Sequence, residues 1–560
     1  MPRPGEKGAI RTRRGSSLPV ALVYPNAYRV GMANLGFQFL YHSLNSHPRL
    51  SAERFFFPDH PFRGKQRPGQ PLSEESGRRL SVFPVIAFSI PFENDYPAVP
   101  GALIAAGIPP LQKDRGPGHP LVIAGGVSVS LNPEPLAPFL DLVFIGELDD
   151  AGEDTGGPFV SRIADLFDRG SFSAADRAAV LRRFRDVPSV YVPSAYTFAF
   201  DSEGALSGIR PEPGFPPRIS ATKRRSKESP VPVSVLFSRE AEFGESLLVE
   251  AGRGCGRGCR FCAAGWIHLP VRHAGLHALH QYVEQALRDG RPVGLIGSDL
   301  ASHPELEEIL TTIVDKGGRF SLSSIRPEGL TPQVIELLAR AGQKTATLAP
   351  EAASVRMKKV IGKEIPSDRF YELVEKLVTA GLTKIRFYFM IGLPTETDED
   401  VEEIVDFART CRTIMVETSR VTGKIGQISL QINPFVPKPW TPFQWAPMAR
   451  PAILENRINI IRQSLKGVPN LVVRVESHRE ALFQAILSRG DRRIASGILS
   501  MAQGKSRWAA AFKGHGIDPT FYALRGRGRE EAFPWDIVDH GVTKERLWKI
   551  YSAALSAGQR

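Results

Sequence analysis

The chain of 560 residues contains only four cysteines and no apolar run long enough to span a bilayer. So few cysteines exclude the disulfide framework of a small secreted protein. The basic N-terminal residues are followed by a short apolar run that is typical of a buried strand rather than of a signal peptide. We therefore expect a cytoplasmic protein without a membrane segment, in a compartment that keeps its thiols reduced.

Acidic residues are in the minority, with 59 Asp and Glu against 71 Lys and Arg, and the formal net charge is +12. An excess of positive charge can indicate an acidic partner such as nucleic acid. Here the arginines are scattered through the chain and no RNA-binding module is recognisable, which favours a solvated basic surface. Nucleic-acid binding is thus not supported beyond the net charge.

The length predicts more than one domain. Apolar runs such as VALVYPN and PLVIAGG alternate with helical patterns in the N-terminal part, which is typical of a doubly wound parallel sheet buried on both faces. The predicted segments are a basic flexible tail (1–18), a Rossmann-like domain (19–155), a connector (156–243), a β/α barrel (244–470) and a mainly helical accessory region (471–560). The predicted fold class is therefore α/β.

A regular succession of β/α units begins near residue 245. Six apolar segments, each followed by a helical pattern, read SLLVEAG, VGLIGSD, RFSLSSIRPE, KTATLAPEA, KIRFYFMIGLP and QISLQINPF. Six consecutive units with short turns predict a partial (β/α)6 barrel. In such folds the chemistry gathers at the carboxyl ends of the strands.

Three of the four cysteines, Cys255, Cys259 and Cys262, follow the first barrel strand with the spacing C-x3-C-x2-C. Clustered thiolates need a cation, and zinc or an iron–sulfur cluster suits them. Three cysteines on a cubane leave one iron open for a substrate. The zinc alternative stays open, because His268 could complete a Cys3His site. Cys411 falls on the apolar stripe of a helix, which indicates a buried core thiol.

This motif in a six-unit β/α barrel resembles the radical S-adenosylmethionine (SAM) enzymes, over about Glu245 to Leu471. The resemblance implies a [4Fe-4S] cluster on the three cysteines, with the amino and carboxylate groups of SAM on the open iron. It also implies reductive cleavage of SAM to a 5′-deoxyadenosyl radical, driven by a low-potential electron donor such as flavodoxin or ferredoxin. Phe261, just before the third cysteine, fits the usual loop of the family.

The resemblance carries over cofactor positions after the second and third strands. Gly297, Ser298 and Asp299 stand where the family has a glycine-rich motif that holds the methionine amino group. These three residues depart from the usual motif of the family. Asp299 is the acidic residue that the resemblance leaves as a candidate. Ser323 and Arg326, on the third strand, resemble positions that meet the carboxylate or the ribose of SAM.

Two further segments complete the implied SAM site. Glu351, in LAPEA on the fourth strand, also resembles a position that meets the carboxylate or the ribose. Gly392 and Pro394, in MIGLPTET, resemble the fifth-strand segment whose backbone approaches the adenine. For all these residues the structural alternative is a turn or a salt-bridged strand end. No catalytic acid or base is assigned.

A doubly wound sheet before a radical barrel resembles the cobalamin-binding subgroup of the family, and the layout is similar to a poorly characterised bacterial family with such an N-terminal domain. Gly125 and Gly126 follow a strand where a macrocycle would approach the backbone. A D-x-H-x-x-G signature supplies a cobalt-ligating histidine in other cobalamin proteins, and Tyr28 stands at that position here. The resemblance thus implies cobalamin as a possible cofactor, without this histidine ligand.

Three functions compete at this point. The first is a cobalamin-dependent radical methylase of unknown substrate. The second is a methylthiotransferase acting on RNA or protein; the family resemblance implies a second cluster on N-terminal cysteines, and no cysteine precedes Cys255. The third is a basic, zinc-binding scaffold without enzymatic activity.

Overall fold

The structure is a computed structural model that describes residues 3–10, 17–58, 69–148, 157–166, 177–223, 231–323 and 325–559. The predicted boundary between residues 155 and 156 lies outside these ranges. The chain forms two compact units. Unit 1 comprises Met1–Glu245, Ile486–Tyr522 and Glu530–Gly541, and unit 2 comprises Ser246–Ala485, Ala523–Arg529 and Val542–Arg560.

The strands are distributed over both units. The first nine belong to unit 1: β1 (Leu18–Ala27), β2 (Leu50–Phe57), β3 (Val85–Ser89), β4 (Leu121–Gly125), β5 (Leu142–Phe144), β6 (Val190–Tyr191), β7 (Tyr196–Phe200), β8 (Leu206–Pro211) and β9 (Ile219–Ser220). Unit 2 contributes β10 (Leu247–Arg253), β11 (Arg272–His273), β12 (Val293–Gly297), β13 (Phe320–Leu322), β14 (Thr345–Glu351), β15 (Lys384–Ile391), β16 (Gln427–Pro434) and β17 (Leu471–Val475), and β18 (Val538–Asp539) belongs to unit 1 again.

The helices follow the same order. Those before the barrel are α1 (Tyr28–Gly31), α2 (Leu35–Ser46), α3 (Ala98–Ala105), α4 (Val127–Leu131), α5 (Gly157–Ala164) and α6 (Arg177–Arg182). The later helices are α7 (Ala264–Ile267), α8 (Leu276–Arg288), α9 (Leu306–Asp315), α10 (Pro332–Arg340), α11 (Val355–Ile361), α12 (Ser367–Thr379), α13 (Asp398–Thr422), α14 (Pro451–Ser464), α15 (His478–Arg489), α16 (Ala495–Ala502), α17 (Trp508–Gly514) and α18 (Lys544–Gly558).

Unit 1 is built on one six-stranded sheet with the order β2-β1-β3-β4-β5-β6. The first five strands run parallel and β6 runs antiparallel to β5. Apolar side chains such as Leu22, Val122 and Leu142 have no exposed surface, as expected for strands covered on both faces. The predicted doubly wound sheet is confirmed.

The edge strand β2 is fully buried although it contains two charged residues. Arg54 is completely enclosed and donates to Glu6 at 2.5 Å and to Glu75 at 2.5 Å. Glu53, on the same strand, pairs with Arg78. Buried charges persist only when such partners replace water, so these pairs make the strand compatible with the interior.

Part of the C-terminal sequence completes unit 1. The side-chain amide of Asn132 donates to the carbonyls of Ser488 at 3.0 Å and Gly490 at 2.8 Å. Arg492 donates through Nε to the buried Glu134 at 2.8 Å. Residues of the predicted accessory region therefore divide between the two units.

Unit 2 contains two four-stranded sheets, with the orders β11-β10-β12-β13 and β14-β15-β16-β17. All pairs are parallel except that of β10 with β11. Each of the six predicted barrel strands is present, and a helix follows each one, so the α/β class is confirmed. Among the described helices of both units, none is long and apolar enough to cross a membrane.

Helix α13 illustrates how local sequence sets an element of unit 2. Thr397 and Asp400 form a reciprocal capping box at its start, and Gly423 in the left-handed conformation ends it. Cys411 lies on its apolar stripe and has no exposed surface, as the periodicity predicts. Burial raises the pKa of this thiol well above its usual range.

Candidate functional site

The cysteine loop starts where β10 ends and leads into the short helix α7. Gly254 begins it with φ +86°, and a Cβ at this position would lie 2.4 Å from the carbonyl oxygen of His268. Only glycine tolerates this conformation and this close approach. The loop then carries Cys255, Cys259 and Cys262, which are free thiols and half-buried.

The three thiols lie in a protein environment that suits metal ligation. Burial raises the pKa of Cys255, of Cys259 and of Cys262 above the ordinary thiol value. Backbone amides oppose this rise, that of Arg257 at Cys255 and that of Gly265 at Cys262. The loop thus combines desolvated sulfur atoms with amide donors directed at them.

The turn after β12 brings a carboxylate to the first cysteine. Asp299 is buried, and its Oδ2 lies 4.0 Å from the sulfur of Cys255 and accepts from Nε of Arg257 at 2.8 Å. Its other oxygen, Oδ1, is buried and has no hydrogen-bond partner among the described residues. A Cβ on Gly297, at the end of β12, would lie 2.7 Å from Leu300 and 3.1 Å from the carbonyl oxygen of Gly252, so this strand end is tightly packed. The predicted residue Ser298 is exposed.

Ser323 and Arg326 are expected on the third strand, but β13 ends at Leu322 and both residues follow it. The hydroxyl of Ser323 donates to the carbonyl of Gly297 at 3.1 Å, so it links the ends of β12 and β13. Arg326 is mostly buried and makes two 3.3 Å contacts with Glu328. Its positive charge lowers the pKa of Cys259 against the effect of burial. The charge of Arg326 therefore acts on the cysteine loop.

The last residue of β14, Glu351, has φ +68°, a conformation that a residue with a side chain rarely adopts. Burial raises the pKa of its carboxyl group, and Lys363 opposes this effect from 3.5 Å. Lys363 is itself buried, and its charge also acts on Cys259. Sequence reasoning missed Lys363; the available signal was a lysine directly after Gly362, at the end of a helix that follows a site strand.

The turn after β15 forms a separate network. Gly392 has φ +81°, and its amide donates to Oε2 of Glu396 at 2.6 Å. Arg457 donates to the same oxygen at 2.7 Å. A Cβ on Gly392 would lie 2.7 Å from Leu454, so the turn requires glycine. Pro394 is half-buried in this turn.

The predicted site residues thus all stand at or just beyond the carboxyl ends of β10 and β12 to β15. The cysteines, Asp299, Arg326 and Glu351 influence one another electrostatically. Within the described ranges, no group of three or more His, Cys, Asp or Glu side chains converges as the ligands of a single ion would. A cubane differs in this respect, because each cysteine binds a different iron.

In unit 1, the residue at the histidine position of the cobalamin signature is committed elsewhere. Tyr28 is buried, and its hydroxyl donates to Glu6 at 2.5 Å. Its ring contacts Phe56 edge-on, with Arg3 3.9 Å from its centroid. Tyr28 is therefore a packing residue in this fold, which agrees with the absence of a histidine signature.

The glycine turn after β4 is explained mainly by packing within unit 1. Gly126 has φ +114°, and a Cβ there would lie 2.4 Å from the carbonyl oxygen of Ile90. Gly125 has no such contact, since a Cβ there would meet only Phe144 at 3.9 Å. Packing within unit 1 therefore explains Gly126 and does not explain Gly125.

Two family models match the chain. Residues 249–408 match the model described as the radical SAM superfamily, and residues 36–193 match that described as radical SAM proteins, N-terminal. The chain is therefore an α/β enzyme of the iron–sulfur class. Residues 249–408 therefore carry a radical SAM domain, and members of that superfamily use a [4Fe-4S] cluster and SAM and need an electron donor.

The chain is similar to curated proteins over different lengths. It is 27% identical over 480 residues to the uncharacterised protein MJ0966 of Methanocaldococcus jannaschii, covering 85% of this chain and 89% of that protein. It is 26% identical over 199 residues to a tRNA-2-methylthio-N(6)-dimethylallyladenosine synthase of Carboxydothermus hydrogenoformans, covering 33% and 45% of the two chains. The second match thus spans less than half of that enzyme.

Two solved structures are similar in outline. The radical SAM methyltransferase TsrM of Kitasatospora setae, with cobalamin and a [4Fe-4S] cluster bound, superposes with a TM-score of 0.49 at 12% identity, covering 89% of this chain and all of that one. The cobalamin-dependent radical SAM enzyme OxsB has a TM-score of 0.43 at 13% identity, covering 70% of this chain and 52% of that one.

Proposed function

We propose that this enzyme holds its [4Fe-4S] cluster on Cys255, Cys259 and Cys262 and transfers a methyl group to a substrate with the help of cobalamin. The observation that carries the cluster assignment is the loop of three free, half-buried thiols after the first strand of the matched domain. When bound and reduced, the cluster and SAM supply a 5′-deoxyadenosyl radical.

The protein's first task is to hold the cluster. Burial disfavours bare thiolates at the three positions, so the sulfur atoms become charged against a bound cation rather than alone. The amides of Arg257 and Gly265 donate to sulfur and would tune the potential of the cluster.

Asp299 is proposed to bind the amino group of the methionine part of SAM. A buried carboxylate oxygen without a hydrogen-bond partner costs free energy, and Oδ1 of Asp299 is such an atom among the described residues. An ammonium group would satisfy it. Arg257 holds Oδ2 at 2.8 Å and so fixes the direction of the carboxylate beside Cys255.

Lys363 and Arg326 are proposed to receive the carboxylate of SAM. Both are mostly buried cations whose charges act on Cys259. Glu351 lies 3.5 Å from Lys363 and offsets part of its charge. Ser323 supports this side by joining the ends of β12 and β13 through its bond to the carbonyl of Gly297.

Gly392 and Pro394 are proposed to face the adenine. The left-handed turn at Gly392 follows the carboxyl end of β15, where backbone groups can meet a purine edge. Glu396 holds this turn, because its Oε2 accepts from both the amide of Gly392 and the side chain of Arg457. The turn is thus preorganised by the protein's own contacts.

Cobalamin is proposed to bind at the carboxyl ends of the parallel strands of unit 1. Ligands of doubly wound sheets bind at this edge. Phe92 and Val127 follow the neighbouring strands β3 and β4 and are 43% and 38% exposed, so this edge offers apolar surface. Because the hydroxyl of Tyr28 is bound to Glu6, we propose that Tyr28 does not ligate cobalt.

The test is mass spectrometry of anaerobically reconstituted protein supplied with SAM, a reductant and cobalamin. The control carries Cys255→Ala, Cys259→Ala and Cys262→Ala together, and Cys411→Ala serves as a matched variant outside the loop. 5′-Deoxyadenosine from the wild type and from the Cys411 variant alone would support radical chemistry on the loop. S-adenosylhomocysteine in the same samples would support methyl transfer, and an iron-free protein that contains zinc would refute the proposal.

A methylthiotransferase activity is the second candidate, because the chain is similar to such enzymes over a third of its length. Its weakness is the absence of any cysteine before Cys255, which leaves a second cluster without thiolate ligands. Iron and sulfide analysis separates the two candidates. About four irons per chain fit the proposed enzyme, and about eight fit a methylthiotransferase.

A further inference from the structure

The arginine between the second and third cysteines of the loop makes three hydrogen bonds to one helix end. The amide of Arg260 donates to the carbonyl of Ile361 at 2.9 Å. Its Nη1 donates to the carbonyls of Lys359 at 2.6 Å and Val360 at 2.9 Å. All three acceptors belong to the last turn of α11.

These carbonyls are those that a helix leaves without partners. The last four carbonyls of an α-helix lack intrahelical donors. In α11, Gly362 in the left-handed conformation and Lys363 donate back to Lys359 and Lys358, which completes a Schellman motif. The carbonyls of Val360 and Ile361 remain, and Arg260 supplies donors to both. A guanidinium is also favoured at a helix C-terminus by the helix dipole.

Hydrogen bonds to the backbone also hold Arg260 and the preceding Cys259. The carbonyl of Arg260 accepts from the amide of Phe443 at 3.3 Å. The carbonyl of the preceding Cys259 accepts from Nε1 of Trp266 at 3.1 Å and from the amide of Cys262 at 3.3 Å. These bonds fix the backbone of the segment from Cys259 to Cys262. The side chain of Arg260 adds a further attachment, to the end of α11.

Gly362 brings the helix end and the loop together. It has φ +67°, and a Cβ at this position would lie 3.4 Å from Cγ and from Nε of Arg260. The next residue, Lys363, is the cation whose charge acts on Cys259. The contact between Arg260 and α11 thus sets the distance between two cysteines and this lysine.

We propose that Arg260 is a positioning residue: it caps α11 and thereby fixes Cys259 and Cys262 relative to Lys363. The proposal rests on the proposed function in one respect, namely that these cysteines are cluster ligands. The capping itself does not depend on a cluster. The test therefore includes a measurement on cluster-free protein.

The first measurement is the alkylation rate of each cysteine by iodoacetamide in cluster-free protein, resolved by peptide mass spectrometry. In Arg260→Met we expect Cys259 and Cys262 to react about tenfold faster, because two hydrogen bonds from a charged donor are lost. Cys255 should change little, since Arg257 and Asp299 lie at its side of the loop. Cys411 should stay unreactive, which shows that the fold is intact.

The second measurement is the loss of the cluster absorbance at roughly 400 nm under an iron chelator. We expect faster loss in Arg260→Met, and partial rescue in Arg260→Lys because one ammonium offers fewer well-directed donors. Arg409→Met is the matched control: this arginine donates to the carbonyl of Ser464 at 2.9 Å and lies outside the loop. It should behave as the wild type.

Gly362→Ala perturbs the contact from the helix side and keeps the proposal testable if Arg260→Met does not fold. It should accelerate alkylation of Cys259 and Cys262 in the same way. Wild-type alkylation rates at both cysteines in either folded variant would overturn the proposal. A wild-type protein that takes up no iron would instead overturn the proposed function, while the alkylation rates would still decide the role of Arg260.

Discussion

The buried pair of Glu396 and Arg457 controls how the turn after β15 responds to pH. The side chain of Glu396 is 3% exposed, and burial raises its pKa to about 7 although Arg457 and the amide of Gly392 oppose the rise. The carboxyl group therefore changes its charge near neutrality in the folded protein. In the unfolded chain it ionises near its ordinary value of 4.5.

The size of the effect follows from these two values. A carboxyl pKa that moves from 4.5 to about 7 corresponds to about 3 kcal/mol of folding free energy. The folded protein binds the proton of Glu396 more tightly, so this contribution is fully present below pH 4.5 and is lost as the pH rises through about 7. Glu396→Gln removes the titration and leaves a constant offset from the unpaired Arg457.

The assay is urea unfolding of both proteins from about pH 5 to about pH 8, followed by hydrogen exchange of peptides from β15 and α13. We expect the free energy of unfolding of Glu396→Gln to rise relative to the wild type by about 2.5 kcal/mol over this range. Asp398→Asn is the control, because Asp398 contacts the same Arg457 but is 50% exposed. It should show no such trend. Parallel pH profiles for the wild type and Glu396→Gln would refute the reasoning.

Three further outcomes are expected. Cys411→Ala should keep the wild-type iron and sulfide content, since this thiol is fully buried in α13, and loss of iron would contradict its structural role. Gly392→Ala should lower the free energy of unfolding by about 2 kcal/mol, because φ is +81° and a Cβ would meet Leu454. It should also weaken SAM binding in calorimetry, and unchanged binding would contradict the proposed role of this turn. Tyr28→Phe should cost about 1 kcal/mol in urea unfolding through the lost bond to Glu6 and leave cobalamin affinity unchanged, whereas weaker cobalamin binding would implicate the hydroxyl.

The fold class could be predicted because most parallel strands of unit 1 are continuous apolar runs, as in β3, β4 and β5. The exception is β2, which was not predicted, since Glu53 and Arg54 interrupt its apolar pattern. Their partners, Arg78 for one and Glu6 with Glu75 for the other, are spread along the chain and bury these charges in pairs. Periodicity alone does not reveal such pairing, because it records hydrophobicity and not the partner.

The division of the C-terminal sequence between the units was not predictable for a related reason. Asn132 binds the backbone carbonyls of Ser488 and Gly490, and backbone acceptors carry no sequence signature. Trp535 and Arg489 are likewise completely buried in unit 1. Contacts between residues hundreds of positions apart depend on the fold and not on local pattern.

The candidate site could be predicted where a residue follows a strand, because parallel strands bring their carboxyl ends to one edge. The family resemblance named Asp299, Arg326 and Glu351, and each of them lies at or just beyond the end of a strand. Lys363 was missed since it follows a helix, α11, rather than a strand. Its approach to the cysteine loop depends on the turn at Gly362, which the sequence indicates only as a helix end.

The arginines of the cysteine loop also explain part of the basic composition. Arg253, the last residue of β10, pairs with Glu250 on the same strand. The two loop arginines reach further: Arg257 pairs with Asp299 after β12, and Arg260 donates to the carbonyls that end α11. The loop is thereby tied to a turn and a helix that are distant in sequence. Because these guanidinium groups are used within unit 2, the dense basic pattern around the cysteines is better explained by positioning of the thiols than by attraction of nucleic acid.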